Sequence, residues 1–284
     1  MILLTGITGN IGSATAKALL ARGVRFRALV RDLAKAAAWA DQGVELVQGD
    51  LENAESVKRA LAGVDRALLV LPNGQTQEAL ELAFVRSAKE IGLPWIIKLS
   101  SPEAVRGTTS PIPLAHIAAE DAIMASGMHW TFVRPSFYMQ NFRSSLKSAR
   151  ATGKLSMPMG KGTVALTDNN DAGEFIAYIL TDADSARHDR QCYDITGPDP
   201  VMNFHDIAEV IGQVIGQKVA YDDCDPAAFQ EAIRPFHRNQ WHSDAVARLF
   251  AEIANGKTPG HKTDTFEKIM GRPGRSLRKY LESL

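Results

Sequence analysis

The chain has 284 residues, of which 45% are hydrophobic, 23% charged and 7% aromatic, a balance that excludes disordered, collagen-like and repeat-tract classes. Its 32 Lys and Arg cancel its 32 Asp and Glu, so no global field draws it to nucleic acid or to an anionic membrane. At this length one large domain or two intimate ones are expected.

From residue 1 to about 150, short aliphatic or β-branched runs alternate with longer helical patterns, the signature of repeated βαβ units. Strands are predicted at residues 2–5, 25–30, 45–48, 67–71, 95–99 and 130–133, and their near-continuous apolar character suits a parallel sheet covered on both faces. Ile11, Ala14, Thr15, Ala18 and Leu19 fall at helical spacing, with Gly23 where a C-terminal cap belongs. Gly43, Gly63, Gly92 and Gly127 stand likewise between a helical pattern and the next strand. Residues 102–113 read as an irregular loop after the fifth strand. Beyond Gly153 the rhythm loosens, with strand candidates near Val164 and Tyr193 and helices from about Phe204, Ala227, Asp244 and Leu277. The expected fold is therefore α/β, a doubly wound parallel sheet. Residues 1–150 form the sheet domain, and 151–284 form a smaller, mostly helical substrate-side domain with segments returning to the sheet.

Cys192 and Cys224 lie far apart, in neither a CxxC nor a zinc-finger spacing, so neither a disulfide framework nor a structural zinc site is expected. His129, His188, His205, His237, His242 and His261 show no metal-ligand spacing, and no metal is expected. No basic flank with a long apolar run opens the chain, and no stretch reaches the ~18 apolar residues of a membrane span. The sequence reads as cytoplasmic, and it leaves the oligomeric state open, a homodimer being one candidate.

The strongest local signal is Gly6-Ile7-Thr8-Gly9-Asn10-Ile11-Gly12, directly after the first strand and opening the first helix. Glycines permit a tight turn and close backbone approach, while the helix N-terminus offers unpaired N–H groups and a positive dipole end to a pyrophosphate. The second strand ends in Arg31, where an NAD-preferring site usually carries an acid. Its planar fork suits a 2′-phosphate, and Lys35 adds charge one turn on, so NADP(H) is preferred over NAD(H). Asp32, next to Arg31, is the competing candidate for the ribose. Ligands of open parallel sheets bind outside the carboxyl ends of the strands. Those ends carry Asp50 and Leu51, then Leu71, Pro72 and Asn73, then Ser100, and then Pro135.

The GxxGxxG spacing in this context resembles the short-chain dehydrogenase/reductase superfamily, a Rossmann fold, over essentially the whole chain. The resemblance implies that Asp50 faces the adenine and that Leu71 and Pro135 line the ribose and nicotinamide. It also implies a serine after strand five and a Tyr-x-x-x-Lys pair in the next helix. Only Ser100 is present; His116 stands at the tyrosine position and Glu120 at the lysine position. With Ser110-Pro111-Ile112-Pro113-Leu114-Ala115-His116, Glu120, Thr131-Phe132-Val133-Arg134 and Tyr138, this departure narrows the resemblance to the atypical NmrA-like group, which includes NADPH-dependent quinone reductases and triphenylmethane dye reductases.

His116 and Glu120 share a helical face, and a carboxylate beside an imidazole favours its protonated form, so His116 is a candidate proton donor beside a structural alternative. Tyr138 and Asn141, with apolar Phe137, Met139 and Phe142, are candidates for the border of an acceptor pocket, although residues at such spacing are more often core. The catalytic candidates are therefore His116, Tyr138 and Ser100. Without the tyrosine, a simple ketone lacks its proton source, which points to conjugated, activated acceptors such as quinones and aromatic dyes. The alternative is a non-catalytic redox sensor of the NmrA type, in which a bound dinucleotide changes partner affinity.

Overall fold

The computed structural model describes residues 1–234, 239–258 and 260–284; His237 lies outside them. In chain order the elements are β1 (Ile2–Leu4), α1 (Asn10–Ala21), β2 (Phe26–Val30), α2 (Leu33–Ala40), β3 (Glu45–Gln48), α3 (Ala54–Leu61), β4 (Arg66–Leu69), α4 (Gln77–Glu90), β5 (Trp95–Leu99), α5 (Pro111–Met124) and β6 (His129–Pro135). There follow β7 (Phe137–Tyr138), α6 (Arg143–Thr152), β8 (Lys154–Ser156), β9 (Thr163–Val164), β10 (Leu166–Thr167), α7 (Asn169–Thr181), β11 (Gln191–Ile195), β12 (Met202–Asn203), α8 (Phe204–Ile215), β13 (Ala220–Asp222), α9 (Pro226–Ile233), α10 (Gln240–Ala254), α11 (Thr265–Met270) and α12 (Leu277–Glu282).

Among the described residues seven strands form one sheet in the order β11-β6-β5-β4-β1-β2-β3, and every adjacent pair from β6 to β3 is parallel. Leu3 pairs with Arg27 on one side and Ala67 on the other, so β1 lies at the centre. The chain winds outward through β2 and β3, then crosses back to β4 and continues through β5 and β6. The strand order thus reverses between β1 and β4, and the carboxyl ends of those strands frame the crevice where such sheets bind ligands.

Two compact units make up the chain. The first comprises Met1–Ser101, Ala115–Arg134 and Asn169–Tyr193. Its core includes Leu3, Val57, Leu69, Phe84, Ile96 and Phe132, all essentially removed from water. Each such side chain stabilises the fold by roughly 1.5–3 kcal/mol relative to exposure. α1 also packs on α7 so closely that a Cβ on Gly173 would lie 2.4 Å from Ala14 Cβ. The second unit comprises Pro102–Leu114, Pro135–Asp168 and Asp194–Leu284. Its core gathers Phe137, Met139, Phe142, Phe204, Ile207 and Leu281, and three two-stranded sheets, β7 with β10, β9 with β12 and β8 with β13, add to the helices.

The six predicted strands are present, two with the expected bounds and four with ends shifted by one or two residues, and Gly23, Gly43, Gly63, Gly92 and Gly127 all have positive φ. The strand candidate near Tyr193 is β11, the outermost strand of the main sheet. One expectation is corrected. The supposed loop 102–113 ends earlier, because α5 begins at Pro111; proline in a first helical turn sacrifices no hydrogen bond, and its fixed φ suits the helix. No helix among the described residues is long and apolar enough to cross a membrane.

Candidate functional site

The glycine turn is built by steric necessity. Gly6 has φ +67°, and a Cβ there would lie 2.6 Å from Val70 O. A Cβ on Gly12 would lie 2.2 Å from Gly6 O, 2.5 Å from Gly6 C and 2.9 Å from Ile7 N, all backbone atoms. Thr5 fixes the turn from below: its hydroxyl lies 3.0 Å from Val70 O and accepts the Val70 N–H at 2.8 Å, tying β1 to the segment after β4. Ile7 and Ile11 are buried anchors, while Thr8, Gly9 and Asn10 face outward.

Gly9 caps α1 without a side chain, and no acid stands in the first turn. Gly9 N–H donates to Gly6 O at 2.8 Å and Ser13 N–H to Gly9 O at 2.9 Å. The amides of Asn10, Ile11 and Gly12 therefore have no intrahelical acceptor and present the positive end of the helix. These bare amides and a cradle that a single Cβ would fill fit the diphosphate of a dinucleotide.

At the end of β2, Asp32 is engaged by its own chain segment. Its Oδ1 accepts the N–H groups of Ala34 at 3.0 Å and Lys35 at 3.3 Å, capping α2. Lys35 lies 3.6 Å from the same carboxylate on the surface. Arg31 is exposed, and its guanidinium has no partner among the described residues. The acid that competes for the ribose is thus occupied, and the group suited to a 2′-phosphate is available. Asp50 also serves its own loop, accepting Glu52 N–H at 3.0 Å. Leu51 and Leu71 lie half-buried on the core of the first unit, Asn73 is half-buried and Pro72 exposed, and Pro135 is buried at the end of β6.

A cluster of buried polar groups occupies β5, α5, β6 and α4. Lys98, fully buried on β5, donates to Glu81 Oε2 at 2.7 Å, to Leu99 O at 3.2 Å and to His116 Nδ1 at 3.1 Å. An ammonium has three donors and no acceptor, so Nδ1 is the accepting nitrogen and the imidazole proton sits on Nε2. Burial, then the Lys98 and Arg134 cations, hold His116 well below the ordinary imidazole value, and it is neutral. Beside it, Glu120 accepts from the Ser100 hydroxyl at 2.6 Å and from Arg134 Nε at 3.0 Å, with a second Arg134 contact to its other oxygen.

The structure brings Ser100, His116 and Glu120 to one place but corrects their expected chemistry. Neighbours four apart on a helix need not pair: Glu120 is taken by Ser100 and Arg134, and His116 is held by a cation, so no carboxylate protonates it. The Ser100 hydroxyl is committed to Glu120. Lys98 and Glu81 were missed, although a lysine inside Trp95-Ile96-Ile97-Lys98-Leu99 is the visible signal, since an apolar strand interior does not hold a charge without a partner.

In the second unit Tyr138 is half-buried on β7, and burial, then the nearby Glu103 carboxylate, push its phenol up, so it remains protonated. Asn141 is exposed. Phe137, Met139 and Phe142 are core rather than pocket lining, with Phe137 and Phe142 ring centroids 5.6 Å apart. No group of three or more metal-ligating side chains occurs among the described residues.

Among relatives of similar sequence, an NAD(P)H azoreductase of Xenophilus azovorans is 30% identical over 285 aligned residues, covering 100% of this chain and 97% of that protein. Quinone oxidoreductase 2 of Escherichia coli strain K12 is 27% identical, covering 100% of this chain and 98% of its own. Among solved structures, an E. coli NADPH-dependent quinone oxidoreductase complexed with NADPH superposes with a TM-score of 0.89 at 24% identity, covering 100% of this chain and 99% of that one. The Citrobacter sp. triphenylmethane reductase complexed with NADP(H) superposes at 0.88 and 24% with the same coverage. These two likenesses establish the fold. The family model described as NmrA-like matches residues 1–280, and with that match and the full-length azoreductase relative, the chain belongs to the NmrA-like family.

Proposed function

We propose that the protein is an NADPH-dependent reductase of conjugated acceptors such as quinones and aromatic dyes. The observation that carries this reading is the bare N-terminus of α1 beside an unpartnered Arg31, with the competing Asp32 consumed as a helix cap. The amides around Gly6, Thr8, Gly9, Asn10, Ile11 and Gly12 hold the diphosphate, and Arg31 with Lys35 holds the 2′-phosphate. Asp50, Leu51, Leu71, Pro72, Asn73 and Pro135 border the adenine, ribose and nicotinamide. When bound, the nicotinamide supplies the hydride.

His116 contributes a neutral N–H donor from Nε2, and Ser100 holds Glu120 in place; in the second unit, Tyr138 keeps a protonated phenol able to donate. Relatives named for azo, quinone and oxidoreductase activities support the same reading. Two cysteines outside any disulfide accord with a cytoplasmic setting.

The test is purified protein with NADPH and a panel of quinones, azo dyes and cationic dyes, followed by nicotinamide absorbance. Turnover of at least one class, with NADPH preferred over NADH, is expected. Tight NADPH binding without oxidation by any acceptor overturns the reductase reading in favour of a redox-responsive regulator.

A further inference from the structure

The Glu81–Lys98 ion pair has no evident place in stabilising the sheet. Both side chains are buried, at 1% and 0% exposure, and a buried pair recovers at best about what its desolvation removes. Apolar residues of similar size would fill the same space. What the pair does accomplish is local. Glu81 on α4 and Leu99 O each take one Lys98 proton, and the third has one destination, His116 Nδ1. The other charges packed around His116 are Arg134 on β6 and Glu120 on its own helix, and these satisfy each other. The imidazole is left with its proton on Nε2, without a protein partner among the described residues, and with a cation against its opposite nitrogen.

We propose that Lys98 is a positioning residue that locks His116 as an Nε2–H donor polarised by a positive charge, and that this makes the site selective for acceptors that gain negative charge on oxygen or nitrogen. This deepening rests on the reductase reading. A quinone that receives a hydride on one oxygen leaves its other oxygen as a phenolate. A donor polarised by Lys98 stabilises that charge through a hydrogen bond, with the proton retained on His116, and the phenolate takes its own proton from water after release. A triarylmethane cation loses its positive charge on receiving hydride and develops no anion for the donor to stabilise. Quinones, carbonyl-type acceptors and azo nitrogens are therefore the favoured class, and cationic dyes are not.

Two measurements test this. In the cofactor-free protein labelled with ¹⁵N-histidine, long-range proton–nitrogen correlation reads the His116 tautomer directly, without a substitution. The expected pattern is a protonated Nε2 and an unprotonated Nδ1; the opposite tautomer or an imidazolium at neutral pH overturns the proposal. The paired change Lys98→Met with Glu81→Gln, which leaves no lone buried charge, is expected to release the lock and give a mixture of tautomers. An unchanged spectrum shows that Lys98 is not the lock. In turnover, the same pair lowers the quinone-to-cationic-dye ratio of kcat several-fold, short of the ~100-fold that follows outright removal of an oxyanion donor, with KM little changed. Equal losses on both acceptors mark a merely structural role and overturn the proposal. Should the wild-type protein turn over neither acceptor, the reductase reading falls while the tautomer result still stands or fails by itself.

Discussion

Replacing Gly12 by Ala puts the architecture of the turn under direct test. The new Cβ arrives 2.2 Å from Gly6 O and 2.5 Å from Gly6 C, so backbone must retreat by about 1 Å; there is no flexible side chain to yield. Alanine gains up to ~1 kcal/mol of helix propensity over glycine, but an overpacked backbone contact costs ~1–3 kcal/mol, so the steric effect wins. A net loss of about 1–2 kcal/mol follows, or roughly 2–3 °C in melting temperature for a chain of this size. Affinity for NADPH suffers more, because the displaced atoms belong to the cradle itself. Losing one hydrogen bond to a charged phosphate, worth ~1.5–3 kcal/mol, weakens binding about 10- to 100-fold. Gly9→Ala is the control for folding, since its Cβ meets only Gly6 O, at 3.3 Å, and should melt close to wild type. Thermal melts and fluorescence titrations of the three proteins decide it. A Gly12→Ala protein that melts and binds like wild type refutes the reasoning.

Arg31→Ala should weaken NADPH binding about 10- to 100-fold and leave NADH nearly untouched, and equal losses by calorimetric titration would sink the 2′-phosphate assignment. Glu252 on α10 accepts Thr109 N–H at 2.7 Å and the Thr108 and Thr109 hydroxyls at 2.7 and 2.8 Å, so Glu252→Gln should destabilise the protein by about 2 kcal/mol in urea. Burial of that carboxylate opposes its charge, yet these bonds and Lys257 hold it below the usual 4.5. A lowered folded value means the stabilisation is complete above the unfolded value and fades as pH falls through the folded one. Wild type should therefore lose more melting temperature on acidification than Glu252→Gln; parallel curves would contradict this. Glu120→Gln, which leaves Arg134 half-answered, should cost about 3 kcal/mol, and a urea midpoint equivalent to under ~1 kcal/mol would show the pair to be incidental.

The central strands were legible because burial on both faces leaves an unbroken apolar run, as in Leu3-Leu4 and Ile96-Ile97. β11 is legible as a strand but its place beside β6 is not, since Gln191-Cys192-Tyr193-Asp194-Ile195 is polar enough for an edge and stands 56 residues after Pro135. α7 escaped because it is buried almost all round and carries Gly173, which reads as a breaker until the contact with Ala14 explains it. The glycine turn declared itself through backbone constraints that only glycine meets. The His116 environment did not, because its partners come from α4 and β5, and sequence spacing along α5 is blind to neighbours on other elements.

The packing of Gly173 onto Ala14 has a bearing on biosynthesis. The nucleotide-holding helix α1 emerges early from the ribosome, but its close neighbour α7 and the outer strand β11 are made only after residues 135–168, which belong to the other unit. At ~5–20 residues per second, the roughly 60 residues from Pro135 to Tyr193 take about 3–12 s to synthesise. For that interval the sheet stands with an apolar helix face uncovered and an edge unpaired. Translation pauses or chaperone capture in this window should govern the yield of native protein far more than any event at either end of the chain.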